Sequence, residues 1–299
     1  MFCRFRPIVL SIVLSSISAS AADTKPEEVI ARHLQSLGTP EARQNAKSRV
    51  VEGTLSYKIL VGGGGTVEGK SVVVSEPHKF NFLLKVLASD YHGEQFVSDG
   101  KKVSVSGTLA NKRRSDFGEF LLAQNVPLRD GLIGGVLSLA WPLGDLESLK
   151  ASTSFEGTKQ VDGREMEVLR YRPQKSTDLQ ILLYFDPQTG HHLKTVYSAS
   201  QQPTLRQTAP VSLSVDPNDA RRSGEGAETR SARAGQTRYR IEENFSEFEA
   251  FDGLTLPTHY ELRFSEELEN SSSSSVLWSV VASRVLNNVS LDARNFEVK

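Results

Sequence analysis

Residues 79–106 read KFNFLLKVLASDYHGEQFVSDGKKVSVS, and the alternation within this stretch decides the fold. Successive side chains of a strand point to opposite faces, so Phe80, Phe82, Leu84 and Val86 share one face. Asn81 and Lys85 fall on the other, which Leu83 and Leu87 keep partly apolar. Asp99-Gly100 then offers the positive φ angles of a tight hairpin, ahead of a further run that carries Val103 and Val105. Alternation joined to a turn dipeptide predicts antiparallel sheet.

The same punctuation recurs along the chain. Asp162-Gly163 separates residues 155–161 from 165–171, and Asp252-Gly253 separates 239–251 from 254–264. Asp186-Pro187-Gln188-Thr189-Gly190 divides residues 179–185 from 193–197. Turn signals repeated at strand-length spacing predict a long antiparallel meander. Strands are also predicted over 50–60 and 67–75, on either side of Gly62 to Gly65, and over 276–286. In the run 254–264, Leu256, Tyr260, Leu262 and Phe264 share a face, with Pro257, His259, Glu261 and Arg263 opposite.

Other elements interrupt this sheet. Residues 26–38 predict a helix, with Glu27 and Glu28 in its first turn, an apolar stripe of Val29, Ile30, His33, Leu34 and Leu37, and Gly38 as its stop. Between residues 111 and 150 the period changes to that of helices, at Phe117, Phe120 and Leu121 and again at Leu132, Val136 and Leu137. Pro127, Gly131, Gly134, Gly135 and Pro142 break these runs, which predicts short or irregular helices. They form either a fixed cap on the core or a movable lid. Residues 198–237 lose all periodicity and are rich in Ser, Pro, Gly, Ala and charge, which predicts a disordered loop between neighbouring strands.

The start of the chain has the anatomy of an export signal. Arg4 and Arg6 precede an apolar run over 7–17, and Ala19-Ser20-Ala21 offers a small-x-small cleavage site. The run is shorter than the roughly 20 apolar residues of a spanning helix. Cleavage after residues 1–21 removes Cys3, the sole cysteine, so a single domain over 22–299 is expected without disulfide or thiolate chemistry. Lys and Arg number 35 against 36 Asp and Glu, which leaves no basic field for nucleic acid.

Several letters look like chemistry. Gly64 to Ser71 satisfy G-x-x-x-x-G-K-[ST], yet Val72-Val73-Val74 and Pro77 follow, which is strand chemistry where a phosphate loop needs a helix. His191 and His192 point to opposite faces of a strand, and His33, His78, His92 and His259 have no metal-ligand spacing, so no metal and no cofactor are expected. There is no G-x-S-x-G elbow, and Glu242, Glu243, Glu247 and Glu249 read as the solvated face of a strand. What remains is apolar: a curved sheet with a greasy inner face, closed by helices, makes a hydrophobic pocket or else a plain packed core.

Gly69, Val73, Pro77, Phe80 and Phe82, followed by Val97-Ser98-Asp99-Gly100-Lys101, form a G-x-x-x-V-x-x-P-x-x-F-x-[FW] strand pair and a strand ending V-S-D-G-K. This pattern resembles the LolA-like family of bacterial outer-membrane lipoprotein carriers and lipoprotein-sorting proteins. The resemblance implies an α+β, mainly β fold, in which a curved antiparallel half-barrel wraps over a few helices that cover an apolar cavity. Relatives of this kind ferry, hold or sense acyl groups in the periplasm, and Phe80 and Phe82 match positions that line the cavity. The carrier branch has an arginine directly before the proline, where it helps fasten the lid. Here that position is Glu76, and the 198–237 insertion is also unlike the short carriers.

The expectation is therefore a periplasmic, monomeric, non-enzymatic binding protein for the acyl chains of a lipid or lipoprotein. Phe80, Phe82, Leu84, Val103, Val105, Ile181, Leu183, Tyr260, Leu262 and Trp278 would form the cavity walls, and Phe117, Leu121, Leu122, Leu132 and Leu137 the lid. An envelope membrane protein that donates or receives the ligand is the expected partner. The alternative is an envelope protein-interaction or sensor module on the same fold with a filled core.

Overall fold

A computed structural model describes residues 24–61, 64–88, 91–109, 114–201, 236–269 and 273–298. The expected export signal and most of the expected disordered loop lie outside the described residues. The described residues begin with helix α1 (Pro26–Ser36), which has proline in its first turn beside Glu27 and Glu28. It stops ahead of Gly38, whose φ of +130° and close approach to the Gly253 carbonyl leave no room for a side chain. A short helix α2 (Pro40–Asn45) follows, capped by Thr39, whose hydroxyl accepts the Ala42 amide at 3.2 Å.

Five strands come next: β1 (Arg49–Ile59), β2 (Thr66–Glu76), β3 (Lys79–Val86), β4 (Gly93–Ser98) and β5 (Val103–Gly107). A helical segment then carries α3 (Asp116–Ala123), α4 (Val126–Arg129), the 3₁₀ turns Gly135–Leu137 and Pro142–Gly144, and α5 (Leu146–Leu149). The sheet resumes with β6 (Ser152–Val161), β7 (Arg164–Arg172), β8 (Gln180–Phe185), β9 (His192–Gln201), β10 (Thr237–Phe251), β11 (Leu254–Leu268) and β12 (Ser274–Asn287). A last 3₁₀ turn, Ala293–Phe296, lies against β3, where Asn81 Nδ2 donates to the Asn295 carbonyl at 2.8 Å. β9 reaches Gln201 and β10 begins at Thr237, so both ends of the expected disordered loop are strand.

All strands join one antiparallel sheet in the order β5-β4-β3-β2-β1-β12-β11-β10-β9-β8-β7-β6. β12 closes the circuit by pairing with β1 on one side and β11 on the other. The expected turns deliver this meander. Asp162-Gly163 and Asp252-Gly253 have positive φ at both residues, the type I′ geometry that matches strand twist. Asp99 and Asp186 act differently: each carboxylate accepts two successive turn amides, with Gly100 and Gly190 at positive φ behind them. The phosphate-loop letters run straight into β2, and Gly69 is there for packing, since a Cβ would stand 2.1 Å from the Lys85 carbonyl oxygen.

The sheet is strongly curved. Phe82 on β3 and Tyr260 on β11 have ring centroids 5.9 Å apart, although three strands lie between theirs. At about 4.8 Å per strand spacing, a flat sheet would hold them roughly 19 Å apart. Topology then fixes where the helices go. β5 and β6 are consecutive in the chain but sit on opposite edges, so the segment between them has to cross the whole sheet. It crosses through the hollow.

Candidate functional site

The inner face of the sheet and the crossing segment form one apolar body. Phe80, Phe82, Leu84, Val105, Ile181, Leu183, Tyr260, Leu262 and Trp278 are buried in it, as are Phe117, Leu121, Leu132 and Leu137 from the segment. Val103 and Leu122 are half-buried and pack against the same cluster. Phe117 stands at its centre, with its ring 4.9 Å from Trp278, 5.4 Å from Phe264 and 5.5 Å from Phe96. Every residue placed by sequence on a wall or on the lid thus meets the others in a single cluster.

The segment fills this hollow. The space left between it and the sheet, bordered by Val73, Phe82, Leu137 and Tyr260, is about 10 Å³. One water needs about that much room, so the packing at this place leaves no space for an acyl chain.

Polar anchors fasten the segment at intervals. Glu94 on β4 accepts the Ser115 amide and hydroxyl at 2.8 and 2.7 Å, while the Ser115 side chain caps α3 by accepting the Gly118 amide. Tyr171 on β7 donates to the Asp130 carboxylate at 3.0 Å. Arg49 on β1 donates to the Val136 carbonyl at 2.8 Å, Ser75 on β2 accepts the Leu139 amide at 3.0 Å, and Trp141 donates to His33 on α1 at 2.9 Å. Glu76, directly before Pro77, pairs with Lys79 at 3.3 Å.

Glu243 is the anchor that sequence reading missed. It does not belong to a solvated face. Strand alternation places it with Ile241 and Phe245 on the inner side of β10, and it is fully buried. Its carboxylate accepts the Gly134 amide at 2.7 Å, the Tyr260 hydroxyl at 2.7 Å and the Tyr197 hydroxyl at 2.6 Å. Burial pushes its pKa up from 4.5 to about 7, against the opposing pull of those three donors. Counting by twos from Ile241 would have found it. Reading four acids as a group hid it.

A buried histidine pair lies beneath the segment's far end. Trp141 Nε1 can only donate, so His33 Nε2 is an acceptor and Nδ1 carries the proton toward the Gly190 carbonyl at 3.1 Å. Burial lowers the His33 pKa to about 4 and also depresses His192, whose ring stacks on Trp141 at 4.7 Å. His191 turns to the other face and stacks on Phe248 at 4.0 Å. Among the described residues no group of three metal-ligating side chains comes together.

One end of the hollow opens into a cleft of about 350 Å³ between α1–α2 and the stretch 136–149. Leu37, Leu139, Trp141 and Leu256 wall it, and Arg43 and Arg49 also line it. Among the described residues no helix is long and apolar enough to cross a membrane.

Neither a family model nor a curated protein matches this chain. Among solved structures it is similar to a LolA superfamily protein from Nitrosomonas europaea, at 12% identity over 92% of this chain and 98% of that one, with a TM-score of 0.46. It is similar to a domain described as an outer membrane lipoprotein-sorting protein from Vibrio parahaemolyticus, at 10% identity over 90% and 96%, with a TM-score of 0.42. A DUF1329 family protein from Desulfovibrio piger gives 15% identity over 91% and 96%, with a TM-score of 0.38. The first two descriptions name the family that residues 69–101 resemble. Likeness at these scores carries no argument about function, and the fold rests on the strand order and the crossing segment.

Proposed function

We propose that the chain is an exported, non-enzymatic binding protein of the periplasm, whose hollow takes up acyl chains of a lipid or lipoprotein when the 115–143 segment lifts. The observation that carries this reading is the contrast within the segment. Most of its contact with the sheet is apolar, while its attachment depends on a few separate polar anchors. An alkyl chain can replace the first without loss, and the second can be released one by one. The sequence resemblance over residues 69–101 points the same way.

A second reading keeps the segment in place and makes the protein an envelope interaction or sensor module. The enclosed space of about 10 Å³ favours it. Native mass spectrometry of protein taken from its own cell envelope separates the two. Lipid adducts that protect residues 115–143 differently from hydrogen exchange support the carrier reading. A clean apo mass, with no uptake of a fluorescent fatty acid, overturns it and leaves the filled module.

A further inference from the structure

The cleft at the end of the hollow combines features that the crossing segment alone does not require. Its walls are apolar, from Leu37 on α1, Leu139 and Trp141 on the segment, and Leu256 on β11. Its lining includes two guanidinium groups. Arg43 is half-buried and donates through Nε to the Gly38 carbonyl at 3.3 Å. Arg49 is only 3% exposed and spends Nε on Asn287 Oδ1 at 2.9 Å and Nη1 on the Val136 carbonyl at 2.8 Å.

Neither arginine makes a close ion pair among the described residues, although the charge of Arg43 contributes to holding the exposed Glu41 carboxyl below its usual range. The acid that lines the cleft, Asp145, is engaged at its rim with His78 at 3.3 Å and with the Ser148 amide. A buried cation without a counter-ion is costly to keep, and burial lowers the Arg49 pKa to about 10. Arg49 Nη2 has no protein partner among the described residues and belongs to a residue of the cleft lining. An anion on an alkyl chain satisfies both halves of this surface, its head on the guanidinium groups and its chain along the leucines.

We propose that this cleft binds the anionic head of a single-chain amphiphile, a carboxylate or phosphate on an alkyl chain, with Arg43 and Arg49 as its cationic partners. The inference takes its choice of an amphiphile from the proposed function. It differs in needing no movement of the crossing segment, because the cleft is open as it stands.

The two tryptophans of the chain make the test selective. Trp141 lines the cleft, and Trp278 is buried inside the hollow against Phe117. In full-length protein carrying Trp278→Phe, a brominated dodecanoate should quench Trp141 saturably. Dodecanoate and dodecyl phosphate should compete, dodecanol should compete at least tenfold more weakly, and dodecyltrimethylammonium should not compete. Whichever anionic head competes better identifies the preferred source.

Arg43→Gln should raise the apparent Kd several-fold and Arg49→Met at least tenfold. Arg43→Gln stays informative if the Arg49 variant fails to fold. Equal competition by dodecanol and dodecanoate, or an unchanged Kd in Arg43→Gln, overturns the proposal. Quenching of Trp278 alone, read in Trp141→Phe, also overturns it while supporting occupation of the hollow. Quenching of Trp141 alone upholds it and counts against the hollow, and no quenching of either overturns both.

Discussion

Replacing Glu243 with glutamine should change how stability depends on pH, by an amount the structure sets. The carboxyl is fully buried and its pKa is pushed up from 4.5 to about 7. The folded protein therefore holds this proton more tightly than the unfolded chain. Its contribution to stability is fully present below pH 4.5 and is lost as pH climbs through 7. The gap corresponds to roughly 2 to 3 kcal/mol between pH 5 and pH 8. Glutamine keeps the shape and an oxygen for the Gly134 amide and the Tyr260 hydroxyl, its amide can donate to the Tyr197 oxygen, and it does not titrate. His33 acts in the opposite direction, since its depressed pKa withdraws stability as pH falls from 6.5 toward 4. That term is common to both proteins and cancels in their difference. Urea unfolding followed by tryptophan fluorescence at pH 5, 6, 7 and 8 should show Glu243→Gln gaining on the parent by roughly 2 to 3 kcal/mol across the range. A difference that stays constant with pH refutes the assignment of Glu243 as a buried, weakly acidic anchor.

Other substitutions probe the same body. Trp141→Phe keeps a ring over His192 but leaves His33 Nε2 a buried acceptor without a donor, and should cost about 1–3 kcal/mol in the same urea assay. Phe82→Asp places a carboxylate between Phe96 and Tyr260 with nothing to pair it, so the protein should lose its cooperative transition, and an unchanged melting curve refutes the closed packing. Gly135→Ala puts a Cβ 2.6 Å from the Phe245 ring at a φ of +52°, and should destabilise by about 2–4 kcal/mol. Gly157→Ala is its control: φ is +88° but no atom lies within 4 Å, so backbone strain of about 1–2 kcal/mol is all it should show.

The sheet was legible because its signals are local. Alternation at Phe80, Phe82 and Leu84 and the Asp-Gly turns at 162–163 and 252–253 specify strands and hairpins without reference to anything distant. The short, broken helices between β5 and β6 were legible for the same reason, from Gly131, Gly134, Gly135 and Pro142. Strand order was not, since nothing local says that β12 pairs with β1 or that β5 and β6 take opposite edges. The filling of the hollow follows from that order, so it too was out of reach. The anchoring roles of Arg49 and His33 were not legible, although His33 fell on the apolar stripe of its helix, because their partners, the Val136 carbonyl and Trp141, are 87 and 108 residues away. Glu243 is a different case. Its position was readable from the period of β10 and was lost among neighbouring acids.

On the proposed reading, the crossing segment and an acyl chain compete for one surface. Lifting the segment alone would expose Phe117, Leu121, Leu132 and Leu137, each worth about 1.5–3 kcal/mol when fully buried, so unassisted opening is rare. A chain that covers the same strands restores the loss at about 0.8 kcal/mol per methylene. The apolar terms therefore nearly cancel between the two occupants, and the polar anchors decide which one stays. Most of them favour the closed form by about 0.5–1.5 kcal/mol each, because opening exchanges a made hydrogen bond for one to water. The two buried carboxylates, Glu243 and Glu94, are the exceptions, and Glu243 is the clearer one. Above pH 7 its ionised carboxylate gains by returning to water, so the anchor that holds Gly134 weakens as pH rises; Glu94, which holds Ser115 and whose pKa burial also raises, weakens in the same direction, while the anchor at Ser75, made by a hydroxyl and an amide, does not. Opening of this segment should therefore start at the carboxylate-held points, Gly134 and Ser115, before Ser75, and be easier at alkaline than at acid pH.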